Sequence, residues 1–337
     1  MQPLNVFEQP MEINNRVIVL HNAIGTHSNP DETDVMQQVE LVSNALKDLG
    51  YQPEALPLGN NLKDDLEEIL ITKPLFVFNL VESVFDKGEL LYLGPALLNA
   101  YKIPFTGVPV EGLFITTNKV LTKKILSYNN IPTPDYVTID QVHLLKPDTR
   151  YLLKPTNEDG SVGLDEDAVF TTRQSGMIER IKQLPSSHYF IEEFIEGREF
   201  NISILGGKGK VDVLAPAEML FHHFPEGKPR MLGYKAKWDE SSIEYKNTSR
   251  SFEGLSPDSH LHKELVRLSR ECWQCFGLRG FARVDFRVDE NDMPHVIEIN
   301  GNPCISPDSG FIAAAHRAGL SNKDVIARII EELIQVY

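Results

Sequence analysis

The first 106 residues alternate between short apolar runs and longer stretches in which apolar residues return every three or four positions. The short runs suit strands that are buried on both faces, and the longer stretches suit amphipathic helices. The predicted strands are 17–20, 51–56, 75–79 and 103–106, and the predicted helices are 33–49, 62–70 and 88–101. This order predicts an α/β lobe with a doubly wound parallel sheet, which binds its ligand at the carboxyl ends of the strands.

Beyond residue 117 the pattern changes, because strands with two-residue alternation become more frequent than helices. A helix is predicted over 117–128, and Pro132 and Pro134 then mark a boundary. The predicted strands are 151–154, 189–195, 199–205, 281–288 and 296–300, with helices at 257–277 and 322–336. A hairpin turn is expected at 206–210 and an irregular segment at 222–256. We therefore expect an α+β half, and we divide the chain into domains at 1–117, 118–205 and 206–337.

The two strands at 281–288 and 296–300 carry the most informative polar positions. In the first, apolar residues at 282, 284, 286 and 288 share one face, and Arg283 and Asp285 lie on the other. In the second, the two isoleucines are expected on the core face, and Val296, Glu298 and Asn300 on the opposite face. If the polar faces of the two strands lie on the same side of the sheet, Asp285, Glu298 and Asn300 converge beside Arg283.

Three oxygen ligands beside a fixed cation suit Mg²⁺ together with phosphate, because magnesium keeps few protein ligands and takes the others from phosphate and water. The alternative is a solvated hairpin face, on which acidic residues are common. Arg283 and Asp285 stand in otherwise apolar strand sequence and favour the metal site.

Composition and charge exclude several classes of protein. The 337 residues carry a formal net charge of −15, which argues against nucleic acid as a main partner. No apolar run reaches transmembrane length, and the first residues lack a signal pattern. Of the 3 cysteines, Cys272 and Cys275 fall within a predicted helix, so we interpret them as buried helix residues rather than a redox pair. We expect a cytoplasmic protein with small-molecule partners.

Several segments could bind a nucleotide, although the chain has neither a Gly-x-Gly-x-x-Gly fingerprint after its first strand nor a P-loop. Lys154 ends a strand and is followed by a glycine-containing loop at 157–164, whose backbone could close over phosphate. The strand that reaches Ile195 could receive an adenine through backbone groups at Glu193 and Ile195, and Glu199 could hold ribose hydroxyls. Taken singly, each of these features is also common in ordinary turns and strands.

Their order along the chain resembles the D-alanine–D-alanine ligase group of the ATP-grasp enzymes. The matching segments are Lys119, Lys154-Pro155, Gly160-Ser-Val-Gly163, Ile191-Glu-Glu-Phe194, Gly197-Arg-Glu-Phe200, Lys235-Ala-Lys237, Gly280-Phe-Ala-Arg-Val-Asp285 and Glu298-Ile-Asn300. The resemblance is strong over 115–337 and weaker over 15–110, and it implies an ATP-grasp fold.

The resemblance also implies roles for single residues. Phosphate contacts would fall to Lys119, Lys154 and Lys237. Two lid loops, around 157–164 with Ser161 and around 230–245 with Lys237, would close over the site. The adenine pocket would comprise Glu192, Glu193, Phe194 and Ile195, with Glu199 on the ribose. Asp285, Glu298 and Asn300 would hold two magnesium ions, with manganese as a substitute. Arg283 would stabilise the reaction intermediate, and Ser309 matches a serine near the acceptor carboxylate.

The amino-acid half departs from that family. The Gly-Gly loop after the first strand is replaced by a longer one containing Glu32, which aligns with the glutamate that holds the first D-alanine amine. Glu82 stands in place of the family's His-Gly, Trp238 replaces the tyrosine after the lid lysine, and the lid has a single serine, Ser161, where many members have two. The expectation is an ATP-dependent carboxylate–amine ligase whose substrate is altered from D-alanine. The alternatives are a D-alanine–D-alanine ligase proper, a small-molecule kinase on the same fold, and a non-catalytic nucleotide-binding module; a homodimer is expected by analogy alone.

Overall fold

A computed structural model describes residues 14–24, 34–59, 61–158, 161 and 163–333. Three sheets follow one another along this part of the chain: three strands in the first, four in the second and six in the third. No helix within these ranges is long and apolar enough to cross a membrane.

The first sheet is parallel, with strand order β2-β1-β3. Its elements are β1 (Arg16–Asn22), α1 (Val35–Asp48), β2 (Gln52–Leu58), α2 (Leu62–Thr72) and β3 (Phe76–Leu80), followed by α3 (Leu93–Ala100). The predicted fourth strand at 103–106 is reduced to one parallel bridge between Val77 and Phe105. Pro104 has no N–H to donate, so its segment cannot continue a ladder. The predicted parallel lobe is otherwise confirmed.

Two helices lead from this lobe into the second sheet, α4 (Val110–Thr117) and α5 (Lys119–Tyr128). Asn118 ends the first helix and caps the second, since its side chain accepts a hydrogen bond from the N–H of Leu121. The second sheet is antiparallel, in the order β4-β7-β5-β6. Its elements are β4 (Tyr136–Thr138), β5 (Arg150–Pro155), β6 (Val169–Thr171), α6 (Met177–Ile181) and β7 (Tyr189–Glu193).

The third sheet is also antiparallel, in the order β11-β10-β8-β12-β13, with β9 beside β8. Its strands are β8 (Arg198–Leu205), β9 (Asp212–Val213), β10 (Ala217–Phe221), β11 (Thr248–Ser251), β12 (Phe281–Val288) and β13 (Pro294–Asn300). Its helices are α7 (Tyr234–Trp238), α8 (Ile243–Lys246), α9 (His260–Cys275), α10 (Gly310–Arg317) and α11 (Asn322–Glu331).

The expectation of an irregular segment at 222–256 is wrong, because this stretch contains α7, α8 and β11. Both helices are a single turn or little more, which is too short for a helical period to be visible in the sequence. β11 lies at the edge of its sheet and pairs only with β10, so most of its residues remain partly or fully exposed and polar.

Two hydrophobic cores hold the third sheet. One lies under α9 and contains Val284, Val296 and Ile299; the other joins the first lobe to the carboxyl-terminal helices through residues such as Val42, Phe281 and Ile326. The helix predicted around the cysteine pair is confirmed as α9. Cys272 is buried, Cys275 is partly buried, and both are free thiols.

A bulge in β13 changes the predicted faces of that strand. Asp285 pairs with Glu298 but the next residue, Phe286, pairs with Val296, so Ile297 is an extra residue in the ladder. The expected placement of Val296 on the ligand face and Ile297 on the core face is therefore wrong. Val296 is buried in the core, and Ile297 lines the cavity described below. In a bulge, two residues of one strand lie opposite one residue of its partner. Side chains on the far side of the bulge therefore point to the face opposite to the one that simple alternation predicts.

The backbone at Gly197, just before β8, lies very close to the backbone at Val288, the last residue of β12. It precedes β8 with φ of +134°, which side chains rarely adopt, and a Cβ at this position would collide with the carbonyl oxygen of Val288. Glycine is therefore required for the last residues of β12 to pair with the start of β8.

Candidate active site

The polar faces of β12 and β13 meet as their alternation predicts. Arg283 lies opposite Asn300, and Asp285 lies opposite Glu298. The guanidinium of Arg283 donates two hydrogen bonds of 2.8 Å to the two carboxylate oxygens of Asp285. The Asn300 amide donates to Asp285 Oδ2 over 3.3 Å. The convergence of these four side chains is therefore observed.

Lys119, at the start of α5, reaches the same cluster from the neighbouring helix. Its ammonium lies 3.3 Å from Glu298 Oε1 and donates to the carbonyl of Glu158 over 2.6 Å. The lysine is buried, so its charge depends on these oxygen partners rather than on water. Lys119, which the resemblance assigns to phosphate contacts, thus faces the carboxylate cluster.

A cavity extends from this cluster between the second and third sheets. Its lining includes these residues from the predicted set: Lys154, Ser161, Glu192, Glu193, Phe194, Ile195, Glu199, Lys237, Asp285 and Glu298. Apolar side chains, among them Leu152, Met231 and Ile297, complete the walls. Apolar walls with a few convergent charges are typical of small-molecule sites.

A buried row of charges borders the cavity at β5 and β7. Glu192 Oε2 lies 2.7 Å from the ammonium of Lys123, and Glu192 Oε1 lies 3.1 Å from that of Lys154. Burial raises the pKa of Glu192, but the attraction of Lys123 and Lys154 outweighs it and leaves this pKa below its usual value. Lys123 also donates to Thr133 Oγ1 over 2.9 Å, and that hydroxyl donates to the Val296 carbonyl over 2.7 Å. Lys123 thereby links β7 to β13.

A second buried pair joins β8 to β12. Glu199 Oε2 accepts hydrogen bonds of 3.2 Å from Arg287 Nη1 and from the N–H of Leu232. Burial raises the pKa of Glu199, and the charge of Arg287 opposes that rise. Both contacts are made to Oε2 of Glu199, and the residue lines the cavity.

The two predicted lid segments contact each other. Ser161 Oγ donates to the carbonyl of Leu232 over 2.8 Å, and the N–H of Tyr234 donates to the carbonyl of Leu164 over 2.8 Å. The half-buried Lys237 follows in α7; burial lowers its pKa, and the nearby Arg283 lowers it further. Both loops thus cover the cavity in this structure.

Glu82, which is expected on the amino-acid side, is linked through Gln38 of the first lobe to the loop 301–309. Glu82 Oε1 accepts a 2.8 Å hydrogen bond from Gln38 Nε2, and Gln38 Oε1 accepts one of 3.1 Å from the N–H of Ile305. Cys304 donates to Asp34 Oδ2 over 3.0 Å. Glu82 is therefore half-buried against this loop rather than directed to bulk solvent.

Ser309 and Glu32 complete the predicted substrate set. Ser309 is nearly buried, and its Oγ accepts a hydrogen bond from the N–H of Ile312, so it caps α10. Glu32 lies outside the described residues.

The donor set on β12 and β13 fits magnesium by its chemistry. Asp285 and Glu298 offer carboxylate oxygens and Asn300 offers an amide oxygen, which are the hard ligands that Mg²⁺ prefers. Within the described part of the chain, no group of three or more His, Cys, Asp or Glu residues could hold a metal by itself. A metal at this place would therefore take further ligands from phosphate and water.

Sequence reasoning did not assign a role to several residues that this geometry brings to the site. Lys123 follows Lys119 by one helical turn, a spacing that could have identified it. Arg287 continues the alternation of Arg283 and Asp285 and could have been found in the same way. The contact of Cys304 with Asp34 has no comparable signal, because the two residues are 270 positions apart.

Comparisons with known proteins find relatives of the whole chain. The family model described as D-ala D-ala ligase C-terminus matches residues 131–331. The chain is 26% identical over 304 residues to the D-alanine–D-alanine ligase of Carboxydothermus hydrogenoformans, covering 86% of this chain and 90% of that protein. It is 27% identical over 319 residues to that of Aquifex aeolicus, covering 94% and 99%. A crystal structure of the D-alanine–D-alanine ligase from Bacillus anthracis complexed with ATP has a TM-score of 0.68 at 22% identity, covering 94% of this chain and 96% of that one.

The family match begins just before β4 and ends at the last residue of α11. It includes every strand of the second and third sheets and every residue that lines the cavity. Lys119 and Lys123 of α5 lie outside the match.

Proposed function

Because the chain belongs to the D-ala D-ala ligase C-terminus family and is an ATP-dependent ATP-grasp ligase, we propose that it joins an amine to a carboxylate other than that of D-alanine. The reaction passes through an acylphosphate. The observation that carries the proposal is the register of β12 and β13, which brings Arg283, Asp285, Glu298 and Asn300 together beside a cavity lined by Asp285, Glu298, Lys154 and Lys237. Phosphoryl transfer needs this combination of cations and hard oxygen ligands.

In this proposal ATP lies along the cavity from β7 to β13. The adenine binds the segment Glu192 to Ile195, and the ribose hydroxyls donate to Oε1 of Glu199. Lys119, Lys154 and Lys237 contact the phosphates. Support comes from the presence of Lys154, Lys237, Glu199 and the segment 192–195 in the lining of one cavity, and from the buried ion pairs that fix Glu192 and Lys119.

Magnesium would be held by Asp285, Glu298 and Asn300, and when bound it would neutralise charge on the transferring phosphate. Lys119 orients the Glu298 carboxylate from α5, and Arg283 orients Asp285 from the same strand. The Arg283 guanidinium also stabilises the oxyanion of the tetrahedral intermediate, and Lys237 stabilises the leaving phosphate. Ser161 keeps the two lid segments together, which excludes water that would hydrolyse an acylphosphate.

The substrate side supports an amino acid that differs from D-alanine. Glu82 and Asp34 bring carboxylates to the loop 301–309, and Glu32 precedes them in the chain. A ligand with an extra cationic or hydrogen-bond-donating group matches such a surface, because a carboxylate in a closed site is stabilised by a paired charge. Ser309 lies at the start of α10, where a substrate carboxylate finds a hydroxyl and helix N–H groups.

The decisive experiment measures ADP release and amide formation with ATP and Mg²⁺ against a panel of D- and L-amino acids and dipeptides. We expect weak or no ligation of D-alanine to itself, and turnover with a larger or more basic amino acid. Efficient formation of D-alanyl-D-alanine would overturn the altered substrate and leave the plain family activity. A stable phosphoester in place of an amide would indicate a kinase.

Four further features stay predictions. They are the second magnesium ion, the use of Mn²⁺, a homodimer and a cytoplasmic location. Metal titration of the ATP complex tests the first two, and sedimentation tests the third.

A further inference from the structure

Arg287 occupies an unusual position for a charged residue. It lies on β12 two residues beyond Asp285, directly opposite Glu199 on β8, and its side chain is 4% exposed. Burial of a guanidinium is costly unless its donors are satisfied, so the partners of Arg287 explain what the residue holds in place.

Three of those partners belong to one short segment. Nε donates to the carbonyl of Ile195 over 2.9 Å, Nη2 donates to that of Gly197 over 3.3 Å, and Nη1 donates to Glu199 over 3.2 Å. The guanidinium also lies 5.1 Å from the ring centroid of Phe194. Arg287 thereby fixes the turn between β7 and β8, which is the segment assigned above to adenine and ribose.

The fourth partner belongs to the lid. Nη1 donates to the carbonyl of Arg230 over 2.7 Å, the shortest hydrogen bond that Arg287 makes. Two residues later, the N–H of Leu232 donates to Glu199, the carboxylate that Arg287 also binds. Around these anchors the lid is mostly exposed between residues 222 and 230. This part of the chain is also held by His222, whose Nε2 lies 2.7 Å from Ser249 Oγ of β11, and by Lys228, which pairs with Glu166 and Glu244.

We propose that Arg287 is a positioning residue that couples occupation of the base pocket to closure of the lid. One guanidinium binds both the base-binding turn and the lid. Ordering of either segment therefore favours the closed position of the other. Lysine cannot replace this arrangement, because one ammonium cannot point at three backbone carbonyls and a carboxylate in four directions. The inference rests on the proposed nucleotide site.

The test compares Arg287→Lys and Arg287→Met with Arg270→Lys, an exposed arginine on α9 that serves as the matched control. Two quantities are measured without any amino acid: the Kd for MgATP, and the rate of protease cleavage within 222–256 with and without saturating MgATP. We expect about tenfold weaker binding in both Arg287 variants, the scale of one lost charge-assisted hydrogen bond. We also expect loss of the protection that MgATP gives the wild-type lid, with Arg270→Lys unchanged.

The outcomes separate this inference from the function on which it rests. Full lid protection in a folded Arg287→Lys variant at saturating MgATP would overturn the coupling, even if its Kd is raised. Failure of the wild-type protein to bind MgATP would overturn the proposed function as well.

A measurement on the wild-type protein covers the case in which the variants do not fold. Adenosine is added until amide hydrogen exchange within 192–199 is slowed. Because adenosine has no phosphate to reach Lys237, slower cleavage within 222–256 supports coupling through the base-binding turn. Unchanged cleavage at that adenosine concentration overturns it.

Discussion

The two ends of the active site hold their carboxylates in different ways. On the nucleotide side each carboxylate has a cation beside it: Lys123 is 2.7 Å from Glu192, and Arg283 is 2.8 Å from Asp285. On the amino-acid side, two of the hydrogen bonds to carboxylates come from neutral donors: the Gln38 amide donates to Glu82, and the Cys304 thiol donates to Asp34. Burial raises the pKa of Asp34, whereas the lysines leave that of Glu192 lowered.

This difference indicates which end is free to change its ligand. An internal ion pair between buried groups fixes both partners, because loss of either leaves a buried charge unpaired. Neutral donors impose a smaller cost when a neighbouring residue is replaced. We therefore expect single substitutions to be tolerated less well on the nucleotide side than on the amino-acid side.

The largest expected effect comes from breaking the nucleotide side at Glu298. Glu298→Gln keeps the size of the side chain and removes the charge that faces Lys119 and the proposed metal. We expect turnover at saturating Mg²⁺ to fall about a thousandfold with the fold retained, the scale of losing one oriented group in an active site. Glu290→Gln, in the exposed turn between β12 and β13, is the control. Normal turnover in Glu298→Gln would remove this residue from the site.

The next effect in size concerns Lys123, which sets the charge state and direction of Glu192. Lys123→Met removes the ammonium from a buried pair, so we expect the free energy of unfolding to fall by about 3 kcal/mol. We expect KM for ATP to rise about tenfold and kcat to change little, because Glu192 is proposed to lie at the base rather than at the phosphates. Lys124→Met, which alters the exposed neighbour, should match the wild type. An unchanged KM for ATP in Lys123→Met would show that Lys123 stabilises the fold but does not contribute to ATP binding.

A third test uses the lowered pKa of Lys237. Burial and the adjacent Arg283 favour the neutral amine, so the charge of Lys237 is lost at a lower pH than that of an ordinary lysine. We expect kcat/KM for ATP to decrease on the alkaline side below the usual lysine range, and Lys237→Arg to move this decrease to higher pH. An alkaline limb at the same pH in both proteins would assign it to another group.

The smallest expected effect lies on the amino-acid side. Glu82→Gln keeps the contact distance to Gln38 but removes one negative charge from the loop 301–309. We expect the preference for a basic amino acid over D-alanine to fall about threefold, as for other partly exposed charges. Glu68→Gln, on the exposed face of α2, is the control. An unchanged preference would place the selectivity elsewhere in the first lobe.

The sequence predicted the long elements and the cation–carboxylate cluster because each depends on a local period. The alternation in β12 placed Arg283 and Asp285 on one face, and the structure has them there. The bulge at Ile297 could not be predicted in this way, since an extra residue is defined only by the strand opposite. The helices at 234–238 and 243–246 were missed because one turn contains no repeat.

Long-range contacts account for the rest of the difference between expectation and structure. Cys304 meets Asp34, and Gln38 meets Ile305, across more than 260 residues of sequence. Such pairs are created by the packing of α1 against the carboxyl-terminal helices. The sequence of neither segment alone predicts them. The amino-acid side was therefore predicted as a region, whereas the nucleotide side was predicted residue by residue.

The close approach at Gly197 has a consequence for experiments that rank positions by tolerance to substitution. Every replacement there would drive a Cβ into the Val288 carbonyl and force an unfavourable backbone conformation. In a complete mutational scan that measures growth, position 197 would tolerate substitution as poorly as Glu298, although glycine has no side chain to contribute. Intolerance at 197 would then report the close packing of two strands rather than a catalytic role. Positions needed for catalysis could be told from positions needed for folding only if protein abundance is measured together with growth.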